Sequence, residues 1–155
     1  MGNDSLDFTI NTLGPCTIQS PIKLSSVQGD MTANYVSDDS YVINNVNVYD
    51  KTKPIILDST NLIEKAGPRE KIFFDPAHAK AGICTCGGLC PGLNDVIRAV
   101  VRCLNTRYGV KTVKGYQFGF HGFFAESGYE PIELDRYLID EIHKIGGTYL
   151  GTSRG

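Results

Sequence analysis

Three cysteines and three glycines crowd into Cys84-Thr85-Cys86-Gly87-Gly88-Leu89-Cys90-Pro91-Gly92-Leu93-Asn94. Such a stretch can hold a metal through thiolates, cycle between thiol and disulfide, or present bare backbone to a phosphate. Zinc sites pair a CxxC knuckle with a second pair or with histidines downstream. Nothing of that spacing follows Cys84-x-Cys86-x3-Cys90, and a CxxC redox motif is absent. Cys84 and Cys86 would share one face of a strand, with Thr85 on the other. There they read as small buried hydrophobes.

The glycines fit a phosphate better. A strand that feeds Gly87-Gly88 and then a helix leaves backbone N–H groups free at the positive end of a helix dipole. Gly87 and Gly88 carry no side chain, so an anion can approach the backbone closely. Pro91 near the helix start removes no N–H that the helix needs. The same glycines would also serve a tight strand-to-helix turn with no ligand. Two familiar nucleotide loops do not fit. Leu93-Asn94 stand where a P-loop needs Lys and Ser or Thr. The G-x-G-x-x-G dinucleotide pattern is missing, and Tyr116-Gln117 stand where its acidic residue belongs.

The surrounding pattern supplies the elements that would hold such a turn. Ala81 to Cys86 is a short apolar run, the mark of a buried parallel strand. Leu93, Val96, Ile97, Val100, Val101 and Leu104 recur at helical spacing and make one apolar face, closed by Gly109. Val110 to Tyr116 predicts a second strand, and an aromatic, Gly-rich loop follows it. Pro131 to Glu133 predicts a short extended piece. Leu134, Leu138, Ile142 and Ile145 space a second helix, with His143 and Lys144 at its negative end. Thr148 to Gly151 predicts a further strand. Strand, turn, helix, strand, helix, strand is an α/β plan with a parallel sheet. Residues 1–66 differ: they are polar and irregular, with Tyr41, Ile43, Val46 and Val48 alternating as an edge strand or hairpin. They read as an N-terminal extension, and residues 67–155 as the first part of a longer α/β domain.

Composition narrows the partners. The 155 residues carry a formal net charge of -2 and a pI near 5.9, with no local basic cluster. That gives no footprint for nucleic acid or a membrane surface. No apolar run approaches the roughly 18 residues of a spanning helix. Five cysteines and no signal peptide predict reduced thiols in the cytoplasm.

Three blocks together, "GICTCGGLCPGLNDVIRAVVR", "GYQFGFHGF" and "IGGTYLGTSRG", resemble the N-terminal half of a 6-phosphofructokinase. The likeness runs from about Ala66 to Gly155. It points to the plant, trypanosome and bacterial branch related to the pyrophosphate-dependent enzymes. The resemblance implies the start of a three-layer, Rossmann-like parallel sheet. It implies transfer of a phosphoryl group from ATP, with Mg2+, to fructose 6-phosphate, in a cytoplasmic homo-oligomer. Pyrophosphate is the alternative donor, and a non-catalytic nucleotide-binding fragment is the alternative role. By motif, Gly87, Gly88, Arg154 and Gly155 would meet the nucleotide phosphates, and Phe120 would sit beside the nucleotide. The family's magnesium loop and catalytic base are not found in these residues. The chain is therefore expected to be a fragment, inactive alone, with no catalytic or metal residue of its own. Other residues read as structural. Phe118, Phe120, Phe123 and Phe124 would pack a core. Asp95 and Arg98 would lie on a solvated face. His78, His121 and His143 would be surface or capping residues without a carboxylate or cysteine partner.

Overall fold

The computed structural model describes residues 6–27, 29–30, 33–47 and 50–154. The chain divides into two compact units, Met1–Phe73 and Phe74–Gly155. The first unit therefore runs beyond residue 66, because Lys71–Ile72 pairs back into it.

The first unit contains four short strands: β1 (Ile18–Gln19), β2 (Tyr41–Ile43), β3 (Leu62–Glu64) and β4 (Lys71–Ile72). β1 pairs antiparallel with β4, and β2 pairs antiparallel with β3, with Val42 opposite Ile63. The alternation at Tyr41 and Ile43 thus makes a strand, but no local hairpin. Its partner lies some twenty residues on, Val46 is exposed, and Val48 falls outside the described residues. Aspartates build the connecting turns. Asp7, Asp50 and Asp58 each accept both the N–H and the hydroxyl of a threonine two residues later. These local bonds compete with regular structure, which explains the irregular backbone. Arg69 ties the unit together. It bonds to Glu64 Oε1 at 2.7 Å and to the carbonyls of Val36 and Lys65 at 3.2 and 2.8 Å. Tyr35 is the one buried hydrophobic residue among those described in this unit.

The second unit is α/β. β5 (Lys80–Cys84) runs parallel to β6 (Thr112–Tyr116), in register from Lys80 opposite Thr112 to Cys84 opposite Tyr116. Helix α1 (Leu93–Cys103) makes the crossover between them. It continues through a π-helical turn at Leu104–Tyr108 and stops at Gly109, which takes φ 75°. β7 (Ile132–Glu133) adds antiparallel to the other edge of β6. The core gathers Ile97 and Val101 from α1, Val110 and Val113 at β6, and Leu134, Ile139, Ile142 and Leu150 beyond it. Each such buried side chain stabilises the fold by about 1.5–3 kcal/mol. Among the described residues no helix is long and apolar enough to cross a membrane.

Several elements differ from the sequence reading. β5 is half-buried rather than fully enclosed. The buried side of α1 is Asn94, Ile97 and Val101, while Val96 and Val100 are exposed. The face is rotated because a polar residue belongs to it. Arg98 is half-buried rather than solvated, and its Nε is enclosed without a hydrogen-bond partner among the described residues. The second helix is broken. It becomes α2 (Arg136–Ile139), capped by Asp135, whose side chain accepts the Leu138 N–H, and a separate 3-10 turn at Ile142–Lys144. Ile145 is exposed. Thr148–Gly151 is not a strand. That segment is irregular, and Cys86 and Ser153 form one isolated parallel bridge.

Candidate functional site

The glycine turn begins where β5 ends. Thr85 is buried, and its hydroxyl donates to the Gly151 carbonyl at 2.6 Å and lies 2.9 Å from Thr148 Oγ1. The Gly87 N–H donates to the Ser153 carbonyl at 3.0 Å. Thr152 Oγ1 in turn donates to the Gly87 carbonyl at 2.8 Å. Residues 152 and 153 thereby fix both backbone groups of Gly87. Gly87 takes φ 93°, a conformation open mainly to glycine.

Gly88 stands next to Arg154. A Cβ placed on Gly88 would lie 3.5 Å from Arg154 Nη2. The sequence reading assigned both residues to one ligand, and the fold brings them together. Gly155, the fourth assigned residue, lies outside the described residues. The Gly87 N–H is already committed to Ser153. The N–H groups of Gly88, Leu89 and Cys90 have no partner among the described residues. Gly92 caps α1 in the left-handed conformation, and no side chain caps the helix. Unpaired donors, a helix N-terminus and a guanidinium therefore share one exposed turn. An anion with several oxygens suits that arrangement.

The aromatic loop closes on the same place. Phe118 takes φ 55°, the one described non-glycine residue with positive φ. Its N–H donates to the Leu150 carbonyl at 2.8 Å, and its ring lies where a side chain on Gly151 would go. A Cβ on Gly119 would meet Cys86 Sγ at 3.0 Å and Ser153 Oγ at 3.2 Å. The three sequence blocks thus meet in space. The aromatics themselves are not core. Phe118, Phe120, Phe123 and Phe124 are all exposed, Phe120 by 62%. Three of these rings have aromatic neighbours instead, with Tyr116 and Phe123 stacked at 4.0 Å, Phe118 against Tyr129 at 4.6 Å and Phe120 6.2 Å from Phe123.

The cysteines are less buried than their spacing implied. Cys84 is half-buried, while Cys86 and Cys90 are exposed. Cys84 and Cys86 do share a face, with sulfurs 3.9 Å apart. Burial pushes the Cys84 thiol above its ordinary value, and the Cys86 sulfur adds to the shift. His78 does have a carboxylate partner, Asp75 Oδ2 at 2.9 Å, on the exposed surface. The Ala77 N–H, followed by His78, holds the Asp75 carboxyl below the usual range.

Asn94 is the residue that sequence reasoning missed. It is 3% exposed. Its Nδ2 donates to the Ile145 carbonyl at 2.8 Å, and its Oδ1 accepts the Tyr149 N–H at 2.6 Å. A signal was available. Asn94 falls one turn before Ile97, and a polar side chain on a buried helix face must find partners.

A family model described as Phosphofructokinase matches residues 80–155. An ATP-dependent 6-phosphofructokinase of Borreliella burgdorferi is 43% identical over 157 residues, covering 99% of this chain and 34% of the relative. One of Amycolatopsis methanolica is 39% identical over 152 residues, covering 96% of this chain and 32% of the relative. The chain thus spans about a third of the length of these curated relatives. The solved T-state phosphofructokinase of Pichia pastoris is similar to 54% of this chain, with 24% identity, 8% coverage of that protein and a TM-score of 0.42. With its three blocks in order and relatives matched along nearly its whole length, the chain belongs, over residues 80–155, to the phosphofructokinase family.

Proposed function

We propose that this chain supplies the nucleotide-phosphate wall of an ATP-dependent 6-phosphofructokinase. The reaction moves the terminal phosphoryl group of ATP to the 1-hydroxyl of fructose 6-phosphate. One observation carries the reading: Arg154 lies over the open backbone of Gly88, beside N–H groups that have no partner among the described residues. Phosphoryl transfer is mainly positioning and charge neutralisation. A guanidinium fork and backbone donors provide both for phosphate oxygens. The family motif assigns Gly155 to the same phosphates, since a glycine lets an anion approach the backbone closely. Phe120 offers an exposed ring for stacking. The relatives' names supply the donor and the substrate class. The reading extends to a cytoplasmic homo-oligomer.

Magnesium accompanies ATP in such chemistry. Among the described residues no group of three His, Cys, Asp or Glu side chains could hold a metal, and that ion is commonly carried by the substrate phosphates with one or two carboxylates. The chain's own contribution is donor groups that orient the phosphates and neutralise their charge.

Nuclear magnetic resonance of the 15N-labelled chain tests the reading. Added ATP should move the Gly88 and Leu89 amide signals and leave those of β1 to β4 in place. Arg154→Ala should remove the effect. Unmoved Gly88 and Leu89 signals at millimolar ATP would overturn it.

A further inference from the structure

The nucleotide reading leaves the paired sulfurs of Cys84 and Cys86 without a task. They point to the same side of the strand end, 3.9 Å apart, with Thr85 turned the other way into its own hydrogen bonds. The Cys86 side is exposed, so a small reagent can reach the pair. We propose that Cys84 and Cys86 form a dithiol site that captures one soft, thiophilic centre, with monosubstituted trivalent arsenicals as the chemical class.

The spacing selects the chemistry. A disulfide needs its sulfurs about 2.05 Å apart, so this pair would have to close by nearly half its separation. Two bonds of about 2.3 Å from sulfurs to one soft centre span about 3.3–3.8 Å, from a pyramidal to a tetrahedral bond angle. The observed distance matches a bridge through a single atom. The number of ligands then selects the class. Among the described residues no third His, Cys, Asp or Glu joins the pair in a metal-binding group. An arsenic that already carries one carbon needs two sulfurs and no more.

The step balances without an oxidant. An arsenoxide, R–As=O, condenses with two thiols to give R–As(S–)2 and one water. Two As–S bonds form, the As=O bond is lost, and the two thiol protons leave in the water. Arsenic stays trivalent throughout. No net deprotonation is required, which suits a Cys84 thiol that burial keeps protonated. Capture would land beside the Gly87 turn, because Cys86 bridges Ser153 and its sulfur packs on Gly119. Capture of this kind does not depend on nucleotide binding.

The test uses phenylarsine oxide on the reduced 155-residue chain. After removal of excess reagent, free thiols are alkylated with iodoacetamide and the digest is mapped by mass spectrometry. One phenylarsenic group per chain is expected, with Cys84 and Cys86 protected and Cys16, Cys90 and Cys103 alkylated. Protection of any other pair, or alkylation of all five cysteines, overturns the proposal. Cys86→Ser should weaken capture by about 100-fold, because the second sulfur no longer acts at high local concentration. Cys90→Ser should leave capture unchanged. Wild-type affinity in Cys86→Ser, or lost capture in Cys90→Ser, would refute the pair. The mapping uses the unmutated chain, so a variant that fails to fold does not decide the outcome.

Discussion

Tyr149 donates its backbone N–H to the side-chain carbonyl of Asn94 at 2.6 Å, across 55 residues of sequence. The opposite end of the same amide donates to the Ile145 carbonyl. One buried side chain thereby seats the whole 145–149 segment on the start of α1. The next residues, Thr152 to Arg154, reach the glycine turn from that seat.

Replacing Asn94 by alanine leaves an N–H and a carbonyl unpaired. Each costs about 1–3 kcal/mol, so a loss of about 2–6 kcal/mol is expected in urea unfolding. Asn94→Asp keeps the acceptor for Tyr149 but sets a carboxylate against the Ile145 carbonyl, and should recover only part of the loss. An unchanged midpoint for Asn94→Ala would show that the two bonds carry no net stability.

Gly87 and Gly88 should respond to alanine in different ways. At Gly87 a Cβ meets nothing within 4 Å, yet φ is 93°. The cost is conformational, about 1–2 kcal/mol. At Gly88 the backbone is unstrained and the new methyl makes an ordinary contact with a flexible arginine. Gly88→Ala should shift stability by less than about 0.5 kcal/mol while weakening ATP binding. Thermal melts and ATP titrations on both variants separate the effects. Equal destabilisation would contradict the assignment.

Gly115 is closed by the core. A Cβ there would stand 2.5 Å from Leu150 Cδ2 and 3.1 Å from Leu134 Cδ1, both leucines being buried. Overpacking of this kind costs about 1–3 kcal/mol, so Gly115→Ala should unfold at lower denaturant. Adding Leu150→Ala makes room for the methyl, and the double variant should lose less than the sum of the single losses. Strict additivity would argue that the contact is not the cause.

The Cys84 thiol offers a pH test. Burial raises its pKa above the ordinary 9.0. A raised acid contributes stability that is whole below the unfolded value and is lost as pH rises through the folded value. Iodoacetamide at pH 8 should therefore label Cys84 more slowly than exposed Cys90, and the native state should weaken above about pH 9. Faster labelling of Cys84 would reverse the assignment.

Much of the second unit was legible because its signals are local. The apolar period of α1, its stop at Gly109 and the apolar run of β5 each need only neighbouring residues. What failed depends on distant partners. Val96 and Val100 fit the helical period as well as Ile97 does, but the third dimension buries Asn94 in their place. The spacing of Leu134, Leu138, Ile142 and Ile145 fits one helix, yet the chain breaks after Ile139 and restarts as a 3-10 turn. Phe118, Phe120, Phe123 and Phe124 read as core from composition, whereas the fold leaves all four exposed. At the candidate site, Gly87 and Gly88 followed from local chemistry. The approach of Arg154 rests on bonds made 65 residues away by Thr152, and only the family resemblance hinted at it.

The partners of the glycine turn also set a timetable. Helix α1 closes through neighbours a single turn apart, while Gly87 waits for Thr152 and Ser153, and Thr85 for Gly151. Such contacts close a long loop, whose entropy must be met before they return any energy. During refolding the helix should be protected from hydrogen exchange first and the Gly87 amide among the last. Pulse labelling during refolding would read that order directly. The glycine turn is then also the chain's record of completed folding, because it takes shape only after the segments on either side have found each other.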